Sequence, residues 1–383
     1  MNQEELTIFN MGENLDNLMN LDPRGYGVCR ILYSAAREYT EEPLTTNAAK
    51  KLVETLKEGD LVYIMTGFVL LPLKKAEMDG IVSSLLLARA LVKAFNVKPV
   101  IICPEDTMDA IKNLAYVMGL HLYDNIDELK EYPISMAAIA FTKESNQAAK
   151  QADEIIAKGL PSAVTSIECP GANSVGTYHN AVGLDVTPLE AKQDILFTKL
   201  QDKGVLNIAI GDLGNELGMG TIKEQLDEYI PHAAKGKCNC GCNGGIAVAT
   251  KADNIITATV SDWGCYGLIA AIAYLKKDLE IMHTKKLQEE AMVVASRSGM
   301  IDMYGWLVPA IDGFGVSMNR SIVNLMRECV DSAIKLEKTC AKWFEEVIEL
   351  GFYENVIQKE ETDKHLIHLS ERSKRGELFE NGA

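Results

Sequence analysis

The chain carries a series of short apolar, β-branched runs, each nearly continuous and separated from the next by helical periodicity. They are Leu61–Thr66, Pro99–Cys103, Ile134–Phe141, Ala163–Glu168, Leu206–Ile210 and Asn254–Val260. A strand wetted on one face alternates apolar with polar residues, whereas a near-continuous run needs cover on both faces. Strands of that kind, alternating with helices, build a mostly parallel sheet with helices on both sides. The fold class read from the sequence is therefore α/β, a mostly parallel multi-stranded sheet. Any ligand site is expected at the carboxyl ends of the strands, where such sheets open a crevice. The apolar runs are strand-length and fall well short of the roughly 18 residues needed to span a bilayer.

At 383 residues the chain has the length of two to three average domains or one large α/β unit. No repeat or low-complexity linker divides it. Residues 1–352 read as one large unit, with two lobes split near residue 200 as the alternative, and 353–383 as a charged tail (KEETDK, SERSKRGE). The strongest helical pattern runs from Asn319 to Leu350. Ile322, Met326, Cys329, Ala333, Leu336, Cys340, Trp343, Val347 and Leu350 form one apolar seam, with Gly351 where a C-terminal cap belongs. The simpler reading packs this seam on its own domain; the alternative pairs it with a second subunit in a homo-oligomer. A net charge of −16 argues against nucleic acid and anionic membrane as partners. The start, MNQEELTIFN, lacks the basic and apolar regions of a signal peptide. Six cysteines (Cys29, Cys103, Cys169, Cys265, Cys329, Cys340) stand singly in apolar surroundings, which fits buried thiols in a reducing cytoplasm.

Four polar turns follow predicted strands. Thr66-Gly67-Phe68 runs on to Glu77-Met78-Asp79-Gly80; Glu168-Cys169-Pro170-Gly171 is followed by Tyr178-His179-Asn180. The third is Gly211-Asp212-Leu213-Gly214-Asn215-Glu216-Leu217-Gly218-Met219-Gly220, and the fourth Ser261-Asp262-Trp263-Gly264. The glycine spacing fits neither the dinucleotide fingerprint nor a P-loop, so no nucleotide cofactor is expected. Carboxylates gathered from two such turns repel one another unless a hard cation or shared protons neutralise them. Glu77, Asp79, Asp212 and Glu216 are thus candidate ligands for Mg2+ or Mn2+. The plainer reading makes Glu77 and Asp79 solvated loop acids, with Asp212 or Asn215 capping the next helix. Asp262 is equally a cap for the helix beginning near Trp263, and Trp263 is core or pocket wall. His179 is a candidate base or ligand. Cys238-Asn239-Cys240-Gly241-Cys242 packs its thiols alternately, lacks a second pair and has His232 as the nearby histidine. It reads as a thiol-rich loop, with metal binding as the alternative.

Taken together, these motifs resemble the catalytic domain of the D-glutamate cyclase family. The match rests on TGF at 66–68, EMDG at 77–80, ECPG at 168–171 and YHN at 178–180. GDLGNELGMG at 211–220 and SDWGCYGL at 261–268 complete it, with IDG at 311–313 as a weaker point. The resemblance implies a lyase that dehydrates D-glutamate to 5-oxo-D-proline, or acts likewise on a related small amino acid. It implies a metal held by Glu77, Asp79, Asp212 and Glu216, with Glu216 or His179 as base. Substrate contacts would come from Thr66, Gly67, Asn180, Gly214, Asn215, Ser261, Asp262 and Trp263. The chain departs from the family pattern at Leu213 (a common glycine) and Thr221 (a common lysine). Ala172 and Ala181-Val182 stand where arginines are usual, which leaves a substrate carboxylate without its customary bidentate partner. Two alternatives use the same acids. One is a metal-dependent phosphoester hydrolase; the other is a non-catalytic metal or metabolite sensor whose partner docks on the 319–350 seam.

Overall fold

The computed structural model describes residues 2–337 and 340–353. The element order is α1 (Gln3–Met19), α2 (Val28–Thr40), α3 (Leu44–Thr55), β1 (Leu61–Thr66), β2 (Val69–Leu70), β3 (Lys75–Ala76) and α4 (Ile81–Phe95). Then come β4 (Lys98–Pro104), α5 (Met108–Met118), β5 (His121–Tyr123), α6 (Ile126–Glu131), β6 (Ser135–Phe141), α7 (Ser145–Lys158) and β7 (Ala163–Ile167). The chain continues with α8 (Gln193–Gln201), β8 (Leu206–Gly211), α9 (Lys223–Tyr229), β9 (Asn254–Thr257), α10 (Ser261–Leu275) and α11 (Lys285–Arg297). It ends in β10 (Ala310–Ile311), β11 (Phe314–Gly315), α12 (Val316–Glu337) and α13 (Ala341–Glu349).

Seven of these strands form one sheet in the order β5-β6-β4-β1-β7-β8-β9, and every pairing in it is parallel. This is an α/β fold. The six apolar runs are six of the seven strands. β1 has the bounds read from the sequence, β4 and β8 run slightly longer, and β6, β7 and β9 are shorter, with Ile134 excluded (φ 53) and β9 stopping at Thr257. The strands on either side of residue 200 lie in the same sheet. Helices cover both faces. Ile210 is in register with Ile167, and Ile167 with Thr66, so these share a face; a Cβ on Gly264 of α10 would lie 2.9 Å from Ile210. Tyr63, out of phase with them, points to the opposite face, and its hydroxyl donates to the Gly159 carbonyl at the end of α7, 2.6 Å away.

From β1 the chain proceeds to β4 on one flank, then returns to β7 on the other. The connections leaving β1 and β7 therefore diverge, and their carboxyl ends bound the crevice of a topological switch point.

The expected single helix over 319–350 is two helices, α12 and α13, with Cys340 between them. Ile322 and Met326 are buried, but Leu336, Trp343 and Leu350 are 50%, 69% and 83% exposed. The first half of the seam is packed against α1, α10 and α11, whereas α13 meets chiefly α1 among the described elements and leaves much of its apolar face exposed. The apolar spacing keeps its phase through the interruption, so periodicity alone does not show it. Gly351 (φ 71) does follow the end of α13 as a left-handed residue. The tail beyond Tyr353 lies outside the described residues. No disulfide joins any of the nine cysteines, and Cys29, Cys103, Cys169 and Cys265 are buried. Among the described residues, no helix is long and apolar enough to cross a membrane.

Candidate functional site

The turns that follow β1, β7 and β8 converge at the switch point, joined by the β10–β11 turn. They enclose a cavity of about 290 Å3 whose walls carry Glu77, Asp79, Glu168, Asp212, Glu216 and Asp312. Asn180 and Asn215 add amides, and Phe68, Leu70, Leu71, Val182 and Met303 line the remainder with apolar surface.

Backbone donors fix most of these acids. Asp79 stands before α4, yet its carboxylate serves α10: Oδ1 accepts from the Asp262 N–H at 2.8 Å and Oδ2 from the Ser261 N–H at 3.1 Å. Asp262, in the first turn of α10, returns the arrangement. Its Oδ1 accepts from the N–H groups of Gly80 (2.8 Å) and Ser83 (3.3 Å) at the start of α4, and its Oδ2 from the Tyr266 hydroxyl (2.8 Å). Each carboxylate thus satisfies orphan donors at the positive end of the other helix. The expectation that Asp262 caps its own helix is corrected: it caps α4. Neither Asp212 nor Asn215 caps a following helix; the short helix after this turn has no side-chain cap. Glu216 instead folds back on its own turn, Oε1 accepting from Asp212 and Leu213 N–H (3.0 and 2.8 Å) and Oε2 from Gly214 N–H (2.5 Å). Glu168 Oε2 accepts from the Ser261 hydroxyl at 2.6 Å.

An ionised carboxylate has about four lone-pair sites. Asp79 and Glu216 each have three engaged, Glu168 has one, and Glu77 and Asp212 receive no hydrogen bond or ion pair on their carboxylates from any described residue. Oxygens of Asp79, Asp212 and Asp312 lie within 4.8 Å of one another, as do those of Glu168, Asp212 and Glu216. Asp212 belongs to both groups. Burial, followed by the nearest acid, raises the proton affinity of Glu77 (beside Asp79), Asp79 (beside Asp262), Glu168 (beside Glu216) and Asp212 (beside Glu168) well above the carboxylate range. Among the described residues one cation, Arg24, is paired with a pocket acid. It binds the carboxylate of Asp312 and donates to its carbonyl at 2.6 Å, with the guanidinium 4.8 Å from the Phe314 ring centre.

Of the residues singled out from the sequence, Glu77, Asp79, Asp212, Glu216, Asn180 and Asn215 line this cavity. The others do not. Thr66 is buried beneath it with its hydroxyl unbonded, and Gly67 (φ +107) and Gly214 (φ +126) pack against Pro104 and Leu226. Ser261 and Asp262 act from behind, on the acids and helix ends. Trp263 is core, donating from Nε1 to Asn319 Oδ1 at 2.9 Å. His179 turns its ring to Cys240 and Cys242, away from the acids, at 3.1 and 3.4 Å. Glu168, Asp312 and Arg24 were not among the expected site residues. Glu168 and Asp312 lie inside the ECPG and IDG motifs, and both hold left-handed backbone (φ 43 and 49), a strain that clusters at functional sites. Nothing in the pattern around Arg24 marks it.

An all-oxygen donor set with free lone pairs and far more negative charge than one arginine offsets fits a hard divalent cation. Residues 15–327 match the family described as D-glutamate cyclase-like, C-terminal, and the chain belongs to that family. The mitochondrial D-glutamate cyclase of Homo sapiens is 33% identical over 113 residues, which cover 29% of this chain and 17% of that relative. The chain thus spans about a sixth of the length of the curated relative it matches.

Proposed function

We propose that this member of the D-glutamate cyclase-like family is a lyase whose acidic cavity closes D-glutamate, or a closely related small amino acid, to its 5-oxoproline lactam with loss of water. The observation that carries this reading is a buried cluster of acids at the switch point in which Glu77 and Asp212 keep their carboxylates free of hydrogen bonds.

A substrate ammonium is drawn to this cluster by charge. It must lose a proton before its nitrogen can attack the γ-carboxylate; the C–N bond forms as a C–O bond breaks, and the departing oxygen takes protons to leave as water. A carboxylate with raised proton affinity is matched to accept a proton from an amine. We assign that role to Glu168, whose Oε1 is free, rather than to Glu216, largely occupied by N–H donors, or His179, whose ring faces thiols. Mg2+ or Mn2+ held by Asp212 and Glu77, with Asp79 and Glu216 completing the set, would supply the Lewis acidity that a carboxylate electrophile needs. Phe68, Leu70 and Val182 give the cavity an apolar wall against which the substrate's methylene groups would lie. Arg24 is committed to Asp312 and does not itself line the cavity, so its role toward the substrate is to hold Asp312 in the wall. The match to the D-glutamate cyclase-like family does not favour the alternative of a phosphoester hydrolase.

The test is incubation with D- and L-glutamate and Mn2+ or Mg2+, following 5-oxoproline by mass spectrometry. Product from one enantiomer, lost in Asp212→Asn and Glu77→Gln, is expected. Bound metal without product from either enantiomer would overturn the assignment.

A further inference from the structure

We infer that His179, Cys238, Cys240 and Cys242 form a second metal site, a closed Cys3His zinc centre separate from the acidic cavity. The three cysteines lie in the loop between α9 and β9, and His179 comes from the excursion after β7, 61 residues before Cys240. Four donor distances define the cluster. His179 Nε2 is 3.1 Å from Cys240 Sγ and 3.4 Å from Cys242 Sγ; Cys238 Sγ is 3.5 Å from Cys242 Sγ and 3.7 Å from Cys240 Sγ. Tetrahedral zinc, with Zn–S of about 2.3 Å and Zn–N of about 2.0 Å, places sulfurs about 3.8 Å apart and sulfur about 3.5 Å from nitrogen. Four of the six edges of such a tetrahedron are matched to within a few tenths of an ångström, and all four donors lie within 4.8 Å of one another.

Neither a disulfide nor an iron–sulfur cluster fits these positions. The sulfurs are too far apart for a disulfide, which needs about 2.05 Å. They are too close to embrace an iron–sulfur cluster, whose thiolates sit around several metal atoms rather than one. In extended chain, alternate residues share a face but lie about 7 Å apart. Here Gly241 (φ +81) turns the chain between Cys240 and Cys242 and helps bring the thiols together. Backbone and side-chain donors are aimed at the sulfurs: Gly244 N–H and Asn173 Nδ2 at Cys242 (3.3 and 3.5 Å), and Cys242 N–H at Cys240 (3.4 Å). Such donors stabilise thiolate charge around a bound metal. His232, the expected nitrogen partner, instead faces the Lys237 carbonyl through Nδ1 at 3.0 Å.

The centre acts as a clamp on the cavity wall. His179 precedes Asn180, Ala181 and Val182, which line the acidic cavity, and its carbonyl accepts from Asn215 Nδ2 at 2.8 Å. Asn239, between two of the cysteines, donates to the carbonyls of Gly183 (2.9 Å) and Val182 (2.7 Å). Soft thiolates select zinc and carboxylates select Mg2+ or Mn2+, so the two sites do not compete for one ion. The zinc centre stands whether or not the cavity turns glutamate over.

The experiment is elemental analysis of the full chain purified without added metal, then reconstituted with zinc alone. One tightly held zinc per chain is expected, released as a mercurial caps three thiolates in its place and followed with a colorimetric zinc indicator. Cys240→Ser and His179→Gln should each lose most of the zinc, while Asp212→Asn and Cys329→Ser keep it. If the ligand variants do not fold, cobalt replacement in the unaltered protein decides: thiolate-to-cobalt charge transfer with intense tetrahedral d–d bands is expected. Absence of that spectrum, or full zinc retention in both ligand variants, would overturn the proposal.

Discussion

Replacing Asp212 by asparagine should change stability with opposite signs in the absence and presence of a divalent cation. The Asp212 carboxylate receives no hydrogen bond from a described residue, yet it has oxygens within 4.8 Å of Asp79, Asp312, Glu168 and Glu216. At an effective dielectric of about 20, two unit charges at that separation repel by about 3.5 kcal/mol. Not all of these acids can stay ionised without a cation, and shared protons relieve part of the repulsion, so the net gain from removing one charge is about 1–3 kcal/mol at pH 8. With Mn2+ at a hundred times its dissociation constant, the unaltered protein gains about 2.7 kcal/mol by mass action, and the variant, lacking the ligand shared by both acid groups, gains almost none. Asp262→Ala is the contrast. It also removes a buried acid, but one that caps α4, and should cost about 1–2 kcal/mol with or without Mn2+. The assay is urea unfolding with Mn2+ withheld or added, no chelator being used so that thiolate-held metal stays in place. An Asp212→Asn protein that is less stable without Mn2+ and still gains fully from it would refute both the repulsion and the ligand assignment.

Glu190 offers a pH test. Its Oε1 accepts from Val69 N–H at 3.0 Å, and burial pushes its pKa from 4.5 up to about 8. The folded state then holds this proton more tightly than the unfolded chain, so its contribution is intact below pH 4.5 and lost as pH rises through 8, by up to about 5 kcal/mol. Glu190→Gln should flatten the stability profile between pH 5 and 8, and parallel profiles would exclude the effect. Gly80→Ala should lower stability by more than about 2 kcal/mol in thermal unfolding, because its Cβ would meet the Ile167 carbonyl at 2.6 Å with φ at +77. Glu168→Gln should reduce turnover by about 10²–10⁴-fold while leaving Mn2+-induced stabilisation in place; unchanged turnover would remove Glu168 as base.

The sheet is legible where strands are buried on both faces. The runs at Leu61 and Leu206 announce themselves by continuity, while β5, three residues (His-Leu-Tyr) at the sheet edge, carries too little apolar pattern to be seen. The strand-end rule places Glu77, Asp79, Asp212 and Glu216 at one rim, and they line one cavity. It does not separate acids that face the cavity from acids that hold helix ends, because Asp79 and Asp262 share a residue type and a position in their turns. Spacing arguments for metal sites look along the chain, and His179 is distant from the cysteines it meets. Its partnership is a property of the fold and not of any local window.

The exchange of helix caps between α4 and α10 sets an order on assembly. Asp79 and its partners at Ser261 and Asp262 are separated by 182 and 183 positions, and contacts so remote in sequence close late. A nascent chain that has formed β1 and α4 but not β9 and α10 leaves the donors at the start of α4 unbonded. Glu168, Asp212 and Glu216 are already carried by the turns after β7 and β8; docking of α10 then fixes Asp79 beside them, and the β10–β11 turn adds Asp312. Completion of the fold therefore also completes the charged cavity, and a chain stopped before residue 261 would lack both the helix end that holds Asp79 and the Asp312 that closes the wall.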